Sequence, residues 1–215
     1  MLNRRAFPDR EAWLRGRQEF PGIGASEAAA IVGLSPWSDP IRLWREKTGR
    51  DPLRDLAGNA AVRFGTAVEE PLRALFMLQH PELSLSYHAY DFLYQEERPW
   101  LRCTLDGELT EIATGEMGIL EIKTAELPTK ADWETWNGKI PEHYLCQVLH
   151  QFQATGFLFA YLYAMLLAMD GSAVLRSYYF RREDYTKDMA WLLGREEKFW
   201  NHVTEDKMPG TILRI

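Results

Sequence analysis

The spacing of the apolar residues changes four times along this chain, and these changes limit its fold more than any other feature of the sequence. Up to residue 79, and in most of the chain after residue 130, apolar residues recur at the three-to-four-residue spacing of helices. Between residues 83 and 124 they form short aromatic and β-branched runs separated by turn residues, which is typical of strands. This order predicts an α+β fold in which helices flank a mixed sheet.

The pattern also places individual elements. The predicted helices are Ser26–Val32, Ser38–Gly49, 59–79, Lys130–Gly138, Pro141–Thr155 and Glu183–Asp206. The predicted strands are Leu83–Tyr94, Trp100–Glu111, Gly118–Thr124, Phe157–Met169 and Ala173–Arg182, the last two joined by a turn at Asp170-Gly171. We expect Ser26 and Ser38 to cap their helices and Pro71 to kink or restart the third one. No linker divides the chain, so we treat residues 1–215 as a single domain.

Composition excludes several classes of protein. The 25 Lys and Arg residues against 31 Asp and Glu residues give a net charge of −6, which disfavours a protein that coats nucleic acid but not a local basic groove. The two cysteines, Cys103 and Cys146, have no metal-binding spacing, and an iron–sulfur cluster needs four ligands. No signal peptide is visible, and the longest near-apolar run, Phe157–Met169, is shorter than the about 20 residues of a membrane span. We therefore expect a cytoplasmic protein without a membrane segment.

The most informative segment is the predicted strand Ile119–Lys123. Alternation places Glu121 and Lys123 on one face of this strand and Leu120 and Ile122 on the other. Opposite charges on an apolar and central strand are costly to bury without a purpose. Asp106, at the Asp-Gly turn after the preceding strand, could lie beside Glu121 if the chain returns as a hairpin.

Two carboxylates and the carbonyl group of Ile122 would make an oxygen-rich pocket that suits Mg²⁺ or Mn²⁺. A lysine beside such a metal can orient a water molecule, so the pattern indicates metal-assisted hydrolysis of a phosphodiester bond. The competing interpretation is an ordinary ladder of surface salt bridges, which the same residues could form.

Other residues could complete this site, and each has a plainer explanation. Glu69 could supply a third carboxylate, or could lie on a solvated helix face, as we expect for Glu70. Gln147 and Gln151, four residues apart, could point into the site or form an exposed stripe. Ser26 follows a Gly-Ile-Gly-Ala turn, which could bind an anion at a helix N-terminus or simply cap the helix.

An ordered set of motifs resembles the YqaJ-like viral recombinase family, relatives of the lambda phage exonuclease within the PD-(D/E)XK nuclease superfamily. The match covers roughly residues 13–156. The motifs are Trp13-Leu14-x-x-Arg17, Gly22-Ile-Gly-Ala-Ser26, Leu43-Trp44-x-x-Lys47-Thr-Gly49, Gly65-x-x-x-Glu69, Leu105-Asp106-Gly107, Glu121-Ile122-Lys123-Thr124, Gly138-Lys-Ile-Pro141 and Tyr144-x-x-Gln147. The resemblance implies a restriction-endonuclease-like core at residues 61–182, after a helical part at 1–60 and before a C-terminal helix within 183–215.

The resemblance also implies roles for single residues. Asp106, Glu121 and the Ile122 carbonyl would bind a metal ion, and Glu69 would complete the set for a second ion. Lys123 would position and activate the attacking water. Gln147 would support the site, while Arg17 and Ser26 would hold a phosphate at the 5′ end of the DNA.

By the same resemblance, the activity would be that of a Mg²⁺- or Mn²⁺-dependent exonuclease, with two ions, acting 5′→3′ on double-stranded DNA ends. The implied partners are further copies of the chain in a ring, such as a trimer, and a single-strand annealing protein. Two alternatives remain at this point: an endonuclease, and a non-catalytic DNA-binding module on the same fold.

Overall fold

The computed structural model describes residues 1–52 and 58–211, which contain nine strands and seven α-helices. In chain order these are β1 (Leu2–Ala6), α1 (Arg10–Glu19), β2 (Ile23–Gly24), α2 (Ala28–Ile31), α3 (Pro40–Lys47), α4 (Ala60–Gln79), β3 (Leu83–Ser86), β4 (Asp91–Gln95), β5 (Arg98–Cys103), β6 (Gly107–Glu111), β7 (Met117–Glu126), α5 (Lys130–Glu134), α6 (Glu142–Thr155), β8 (Phe159–Leu167), β9 (Ala173–Arg181) and α7 (Thr186–Thr204). Short 3₁₀ turns at Ala25–Glu27 and Arg182–Tyr185 precede α2 and α7.

A five-stranded sheet in the order β3-β6-β7-β8-β9 forms the centre of the fold. Only the β7–β8 pair is parallel, so the predicted mixed sheet is confirmed. Helix α4 covers one face, where Leu72 and Phe76 pack with Leu120 and Ile122. Helix α6 covers the other face, where Val148 and Phe152 join the core that contains Ile119 and Leu162.

A second sheet, in the order β1-β4-β5-β2, was not expected from the sequence. Each of the predicted strands 83–94 and 100–111 is in fact two strands, and the halves belong to different sheets. The first break lies at Tyr90, whose φ of 57° is incompatible with a continuous strand. The second lies between Cys103 and Gly107, where the chain leaves one sheet for the other.

Residues 1–60, predicted as a helical part, contain helices α1 to α3 but also the strands β1 and β2, which were not predicted. The sequence of β1 has no alternating apolar pattern. This strand forms through its antiparallel pairing with β4, and Arg4 adds ion pairs to Asp91 and Glu108. Such long-range contacts are invisible to a local pattern.

Several local predictions need correction. Asp39, and not Ser38, caps α3 by accepting a hydrogen bond from the Arg42 N–H at 2.9 Å. Ser26 lies inside the 3₁₀ turn, where it caps no helix. Helix α4 continues through Pro71, so the predicted restart is wrong. Pro71 is exposed, and solvent can bond the carbonyl group that the missing N–H leaves free.

The helix at α6, the β8–β9 hairpin and the C-terminal helix are confirmed. Gly156, with φ of 78°, ends α6 in the left-handed conformation that favours glycine. Within the described residues no helix combines the length and apolar character that crossing a bilayer requires.

Candidate active site

Asp106 and Ile122 meet at an edge of the central sheet that β7 leaves open. Strand β6 begins at Gly107, which pairs with Leu120, so beyond Leu120 no strand of β6 lies beside β7. The Asp106 Oδ2 atom accepts a hydrogen bond from the Ile122 N–H at 2.7 Å. Because the N–H and C=O groups of one strand residue point to the same side, the Ile122 carbonyl also faces this open edge.

Glu121 and Lys123 lie on the face of β7 that α6 covers, as the alternation predicts. Glu121 is only 3% exposed, and its Oε1 atom lies 2.6 Å from Lys123 Nζ. Gln147 Nε2 donates to the same oxygen at 2.5 Å, and Gln151 Nε2 donates to Oε2. Both glutamines therefore point into the site, and the interpretations as an exposed stripe and as a surface ladder are wrong.

Two of the carboxyl groups, those of Asp106 and Glu69, have raised pKa values. Burial, followed by the negative charge of Glu121, raises the pKa of Asp106 well above its usual range, although Lys123 opposes the shift. Burial and Glu121 also raise the pKa of Glu69. Burial alone would lower the pKa of Lys123, but Glu121 and Asp106 outweigh it and raise the pKa. The lysine thus remains charged, and the acids around it carry negative charge that the protein only partly neutralises.

Glu69 approaches this group from α4. One turn earlier, Gly65 allows a close approach, because a Cβ atom there would lie 3.2 Å from Thr124 Oγ1 of β7. The Glu69 side chain is 29% exposed and its Oε2 atom lies 3.9 Å from Arg73 Nη1. Its electrostatic coupling to Glu121 and Lys123 places it beside the other acids.

The residues at this edge fit a divalent metal ion by the chemistry of their donors. Asp106, Glu121 and the Ile122 carbonyl offer hard oxygen atoms, which Mg²⁺ and Mn²⁺ prefer. Within residues 1–52 and 58–211, no three His, Cys, Asp or Glu side chains are grouped so that they alone could hold a metal ion. An open set suits Mg²⁺, which keeps several water molecules and takes substrate oxygens. The raised pKa values of the acids mark the excess charge that a cation would neutralise.

Arg17 and Ser26 do not touch the carboxylates but line a cavity of about 150 Å³ next to them. The side chains that line it include Trp13, Arg17, Ser26, Arg102, Thr104 and Gln147. Gln147 connects the two places, since it lines the cavity and also bonds Glu121. The Arg17 guanidinium lies 5.0 Å from the centre of the Trp13 ring.

Glu27 and Lys47 stabilise this cavity, although neither was predicted to have a role in the site. The Glu27 carboxylate accepts a hydrogen bond from the Gly24 N–H at 2.7 Å and lies 2.7 Å from Lys47 Nζ and 3.7 Å from Arg17 Nη2. Burial acts to raise the pKa of Glu27, but Lys47 and Arg17 outweigh it and lower the pKa. The position of Lys47 in a quoted motif was the only signal for this contact.

Arg102 was also missed, because nothing in the sequence of β5 marks it. It is buried, and its guanidinium donates to the carbonyl groups of Phe20 and, at 3.0 Å, of Arg17. Burial lowers the pKa of Arg102 to about 10, with Glu27 opposing the shift. Arg102 thus fixes the end of α1 and adds a buried positive charge to the cavity wall.

The fold resembles that of solved exonucleases. An alkaline exonuclease (LHK-Exo) from Laribacter hongkongensis has a TM-score of 0.69 and 19% identity, with 92% of this chain and 94% of that chain covered. A phage related exonuclease from Haemophilus somnus 129PT has a TM-score of 0.53 and 12% identity, with 86% and 96% covered. At these identities the likeness concerns the fold.

Sequence comparison identifies the family. The chain is 28% identical over 214 residues to the uncharacterized protein YqaJ of Bacillus subtilis (strain 168), which covers 94% of this chain. The chain spans 58% of the length of that relative. Residues 12–158 match the YqaJ-like viral recombinase domain, which is more than half of the sequence. The chain therefore belongs to the YqaJ-like viral recombinase domain family.

Proposed function

We propose that this chain is a Mg²⁺-dependent deoxyribonuclease that hydrolyses phosphodiester bonds at the ends of double-stranded DNA, in the 5′→3′ direction. The observation that carries the proposal is the convergence of Asp106, Glu121 and Lys123 at the open edge of β7. Their excess negative charge suits a divalent cation, and the fold likeness to exonucleases supports the same chemistry.

Each residue of the cluster has a defined task. Asp106, Glu121 and the Ile122 carbonyl would hold a Mg²⁺ or Mn²⁺ ion, and Glu69 would serve a second one. A bound metal ion would polarise the scissile phosphate as a Lewis acid and stabilise the leaving oxygen. Lys123, held by Glu121, orients the attacking water on the side of the site that faces α6. Gln147 and Gln151 keep the Glu121 carboxylate in place through its two oxygens.

The cavity beside the cluster would receive the 5′-terminal phosphate. Its wall carries the cations of Arg17 and Arg102 and the hydroxyl group of Ser26, which are groups that bind phosphate oxygens. A volume of about 150 Å³ can enclose a phosphate group but not a base pair. An anchored 5′ end would set the scissile bond at a fixed distance and so favour cutting at ends.

The assembly is part of the same proposal. A ring of chains, such as a trimer, would need positive charge only along its channel, so a net charge of −6 is compatible with DNA binding. A single-strand annealing protein would take up the strand that resection exposes. Family membership supports both ideas.

The direct test compares linear and covalently closed circular duplex DNA, each with Mg²⁺ or with EDTA. We expect digestion of the linear DNA only, faster from 5′-phosphate than from 5′-hydroxyl ends, and none in EDTA. Arg17→Ala should abolish the preference for the phosphate while the wild type keeps it. Cutting of circular DNA at the same rate as linear DNA would indicate an endonuclease. Binding of DNA without cutting would indicate a non-catalytic DNA-binding module.

A further inference from the structure

Arg73 is a largely buried cation at the candidate site to which the roles above give no task. It lies on α4, one turn after Glu69, and its side chain is only 12% exposed. Its Nη1 atom donates to the Asp106 carbonyl oxygen at 3.3 Å. The guanidinium therefore touches the backbone of a proposed metal ligand, at the opposite wall of the site from α6.

The ring of Tyr87 fixes the plane of this guanidinium. The Arg73 Cζ atom lies 3.8 Å from the centre of the Tyr87 ring, which is a close cation–π contact. Tyr87 itself is 44% exposed, so the stacked pair lies at the rim of the site. Stacking leaves the N–H groups free to bond within the plane of the guanidinium.

Protein groups use few of those N–H donors. A guanidinium has five, and in the part of the chain that the structure describes Arg73 makes a single hydrogen bond. The nearest carboxylate oxygen, of Glu69, lies 3.9 Å away, which is beyond hydrogen-bonding distance. A largely buried arginine with unused N–H donors, next to a proposed site for phosphodiester chemistry, is suited to bind a phosphate through two parallel hydrogen bonds.

The position of Arg73 indicates which phosphate this would be. The 5′ end would lie in the cavity lined by Arg17 and Gln147, and Arg73 forms no part of that cavity. The scissile bond would lie at Asp106 and Glu121. Glu121 contacts the cavity residue Gln147, and the Asp106 carbonyl contacts Arg73, so the two acids lie between the cavity and Arg73. A strand anchored in the cavity therefore passes the carboxylates before it reaches Arg73.

We propose that Arg73 binds a backbone phosphate of the DNA strand on the 3′ side of the scissile bond and so holds the strand on both sides of the cut. This proposal rests on the proposed nuclease function, because it needs a strand that runs through the site. Phosphate contacts of this kind position a nucleic acid without reading its sequence. Arg73 would then be a second anchor, and the cavity the first.

The test removes single negative charges from the substrate. Linear 5′-phosphorylated duplexes carry a neutral methylphosphonate at the second or third linkage, and release of the first nucleotide in Mg²⁺ gives kcat/KM. A charge-assisted hydrogen bond predicts that the wild type loses about tenfold or more in kcat/KM with one of these substrates. For Arg73→Ala we expect a similar loss with unmodified DNA and less than about twofold further loss with the methylphosphonate.

Two variants control for effects on the fold. Arg63→Ala removes an exposed arginine from the same helix, and it should keep the wild-type response to every substrate. Arg73→Lys keeps the positive charge but not the forked guanidinium, so it should keep only part of the loss in kcat/KM that the methylphosphonate causes in the wild type. If Arg73→Ala does not fold, the test rests on Arg73→Lys. A loss in kcat/KM from the methylphosphonate as large in Arg73→Lys as in the wild type would contradict a forked contact.

The outcomes separate this inference from the proposed function. Suppose that the wild type cuts unmodified DNA, and that the fold-losses in kcat/KM from Arg73→Ala and from each methylphosphonate multiply when the two are combined. Arg73 then contacts neither phosphate, and the inference is wrong. If the wild type cuts no DNA under any condition, the nuclease function itself is wrong, and the role of Arg73 with it.

Discussion

The Asp106 carboxyl group is partly buried beside two other acids, and this placement costs the folded protein free energy. Its raised pKa is the measure of that cost, because it reflects burial and the charge of Glu121. A carboxyl group whose pKa is raised on folding destabilises the folded state at every pH where that carboxyl group is ionised in the unfolded chain. A site that needs such a residue for chemistry keeps it despite the loss of stability.

Asp106→Asn should therefore stabilise the metal-free protein and inactivate it. The amide oxygen can still accept the Ile122 N–H, while the repulsion by Glu121 disappears. We expect the melting temperature in EDTA at pH 7.5 to rise by about 2–4 °C, equivalent to about 1 kcal/mol, and DNA cleavage to fall at least about 100-fold. Thermal unfolding monitored by circular dichroism measures the first effect and a nuclease assay the second.

The control is Asp170→Asn, which changes an exposed aspartate in the β8–β9 turn. There the Ser172 hydrogen bonds lower the pKa, so we expect no rise in melting temperature. A lower melting temperature for Asp106→Asn in EDTA would contradict the proposed repulsion.

At the level of residues, the sequence predicted the charged centre of the site but not its surroundings. The proximity of Asp106, Glu121 and Lys123 could be predicted because it follows from a turn and from strand alternation, which are both visible in the local sequence. Arg102 and Glu27 escaped prediction because their contacts join segments far apart in the chain. A single Arg or Glu in a sequence carries no sign of such a partner.

The helices fix which side chains reach the site, and α4 offers a direct comparison. Glu69 is half-buried beside the other acids, whereas its neighbour Glu70 is exposed. Glu69→Gln should lower cleavage about tenfold or more, and Glu70→Gln should change it less than about twofold. Both substitutions leave a good helix former in α4, so their melting temperatures should differ little. Equal activities in a single-turnover assay would remove Glu69 from the site.

Helix α6, which carries the two glutamines, is tied to α7 and β5 by a buried pair. His150 Nδ1 lies 2.6 Å from Glu196 Oε1, and its Nε2 lies 2.9 Å from the Arg102 carbonyl oxygen. Both ring nitrogens face hydrogen-bond acceptors, which suits the protonated ring because it donates from both nitrogens. Burial alone would lower the pKa of His150, but Glu196 outweighs it and raises the pKa.

A pKa raised on folding gives stability that is complete below the unfolded value of about 6.5 and is lost as the pH rises through the folded value. His150→Gln would leave Glu196 buried without a charged partner. We expect it to lower the free energy of unfolding by about 3 kcal/mol or more at pH 6 and by less at pH 9, measured by urea unfolding. His88→Gln, at an exposed position, is the control. The same loss at both pH values would show that the charge of His150 is unimportant.

At the level of elements, prediction succeeded where one segment carries its own signal. Asp170-Gly171 marks the β8–β9 hairpin, and Pro141 and Gly156 bound α6 closely. Strand β1 failed because it depends on β4 for its pairing. The strands on either side of Tyr90 were joined in the prediction because a non-glycine residue with positive φ gives no warning in the sequence.

For the whole molecule, the two sheets divide the tasks of the site. The central sheet carries the carboxylates and the lysine, and the second sheet, through β5 and β2, carries the wall of the cavity. The chain passes from one sheet to the other between Cys103 and Gly107, so Asp106 lies at the junction. The proposed anchor for the 5′ end and the proposed centre for hydrolysis are thereby adjacent.

This arrangement makes one measurement the most direct test. A linear 5′-phosphorylated duplex, labelled differently at the 5′ and 3′ ends of one strand, is cut under single-turnover conditions in Mg²⁺ by the wild type and by Lys123→Ala. We predict that the wild type releases the 5′-terminal nucleotide first, as a 5′-monophosphate, and that Lys123→Ala releases it at least about 100-fold more slowly. Release of the 3′ label first, or equal rates for the two proteins, would contradict a 5′→3′ exonuclease centred on Asp106, Glu121 and Lys123.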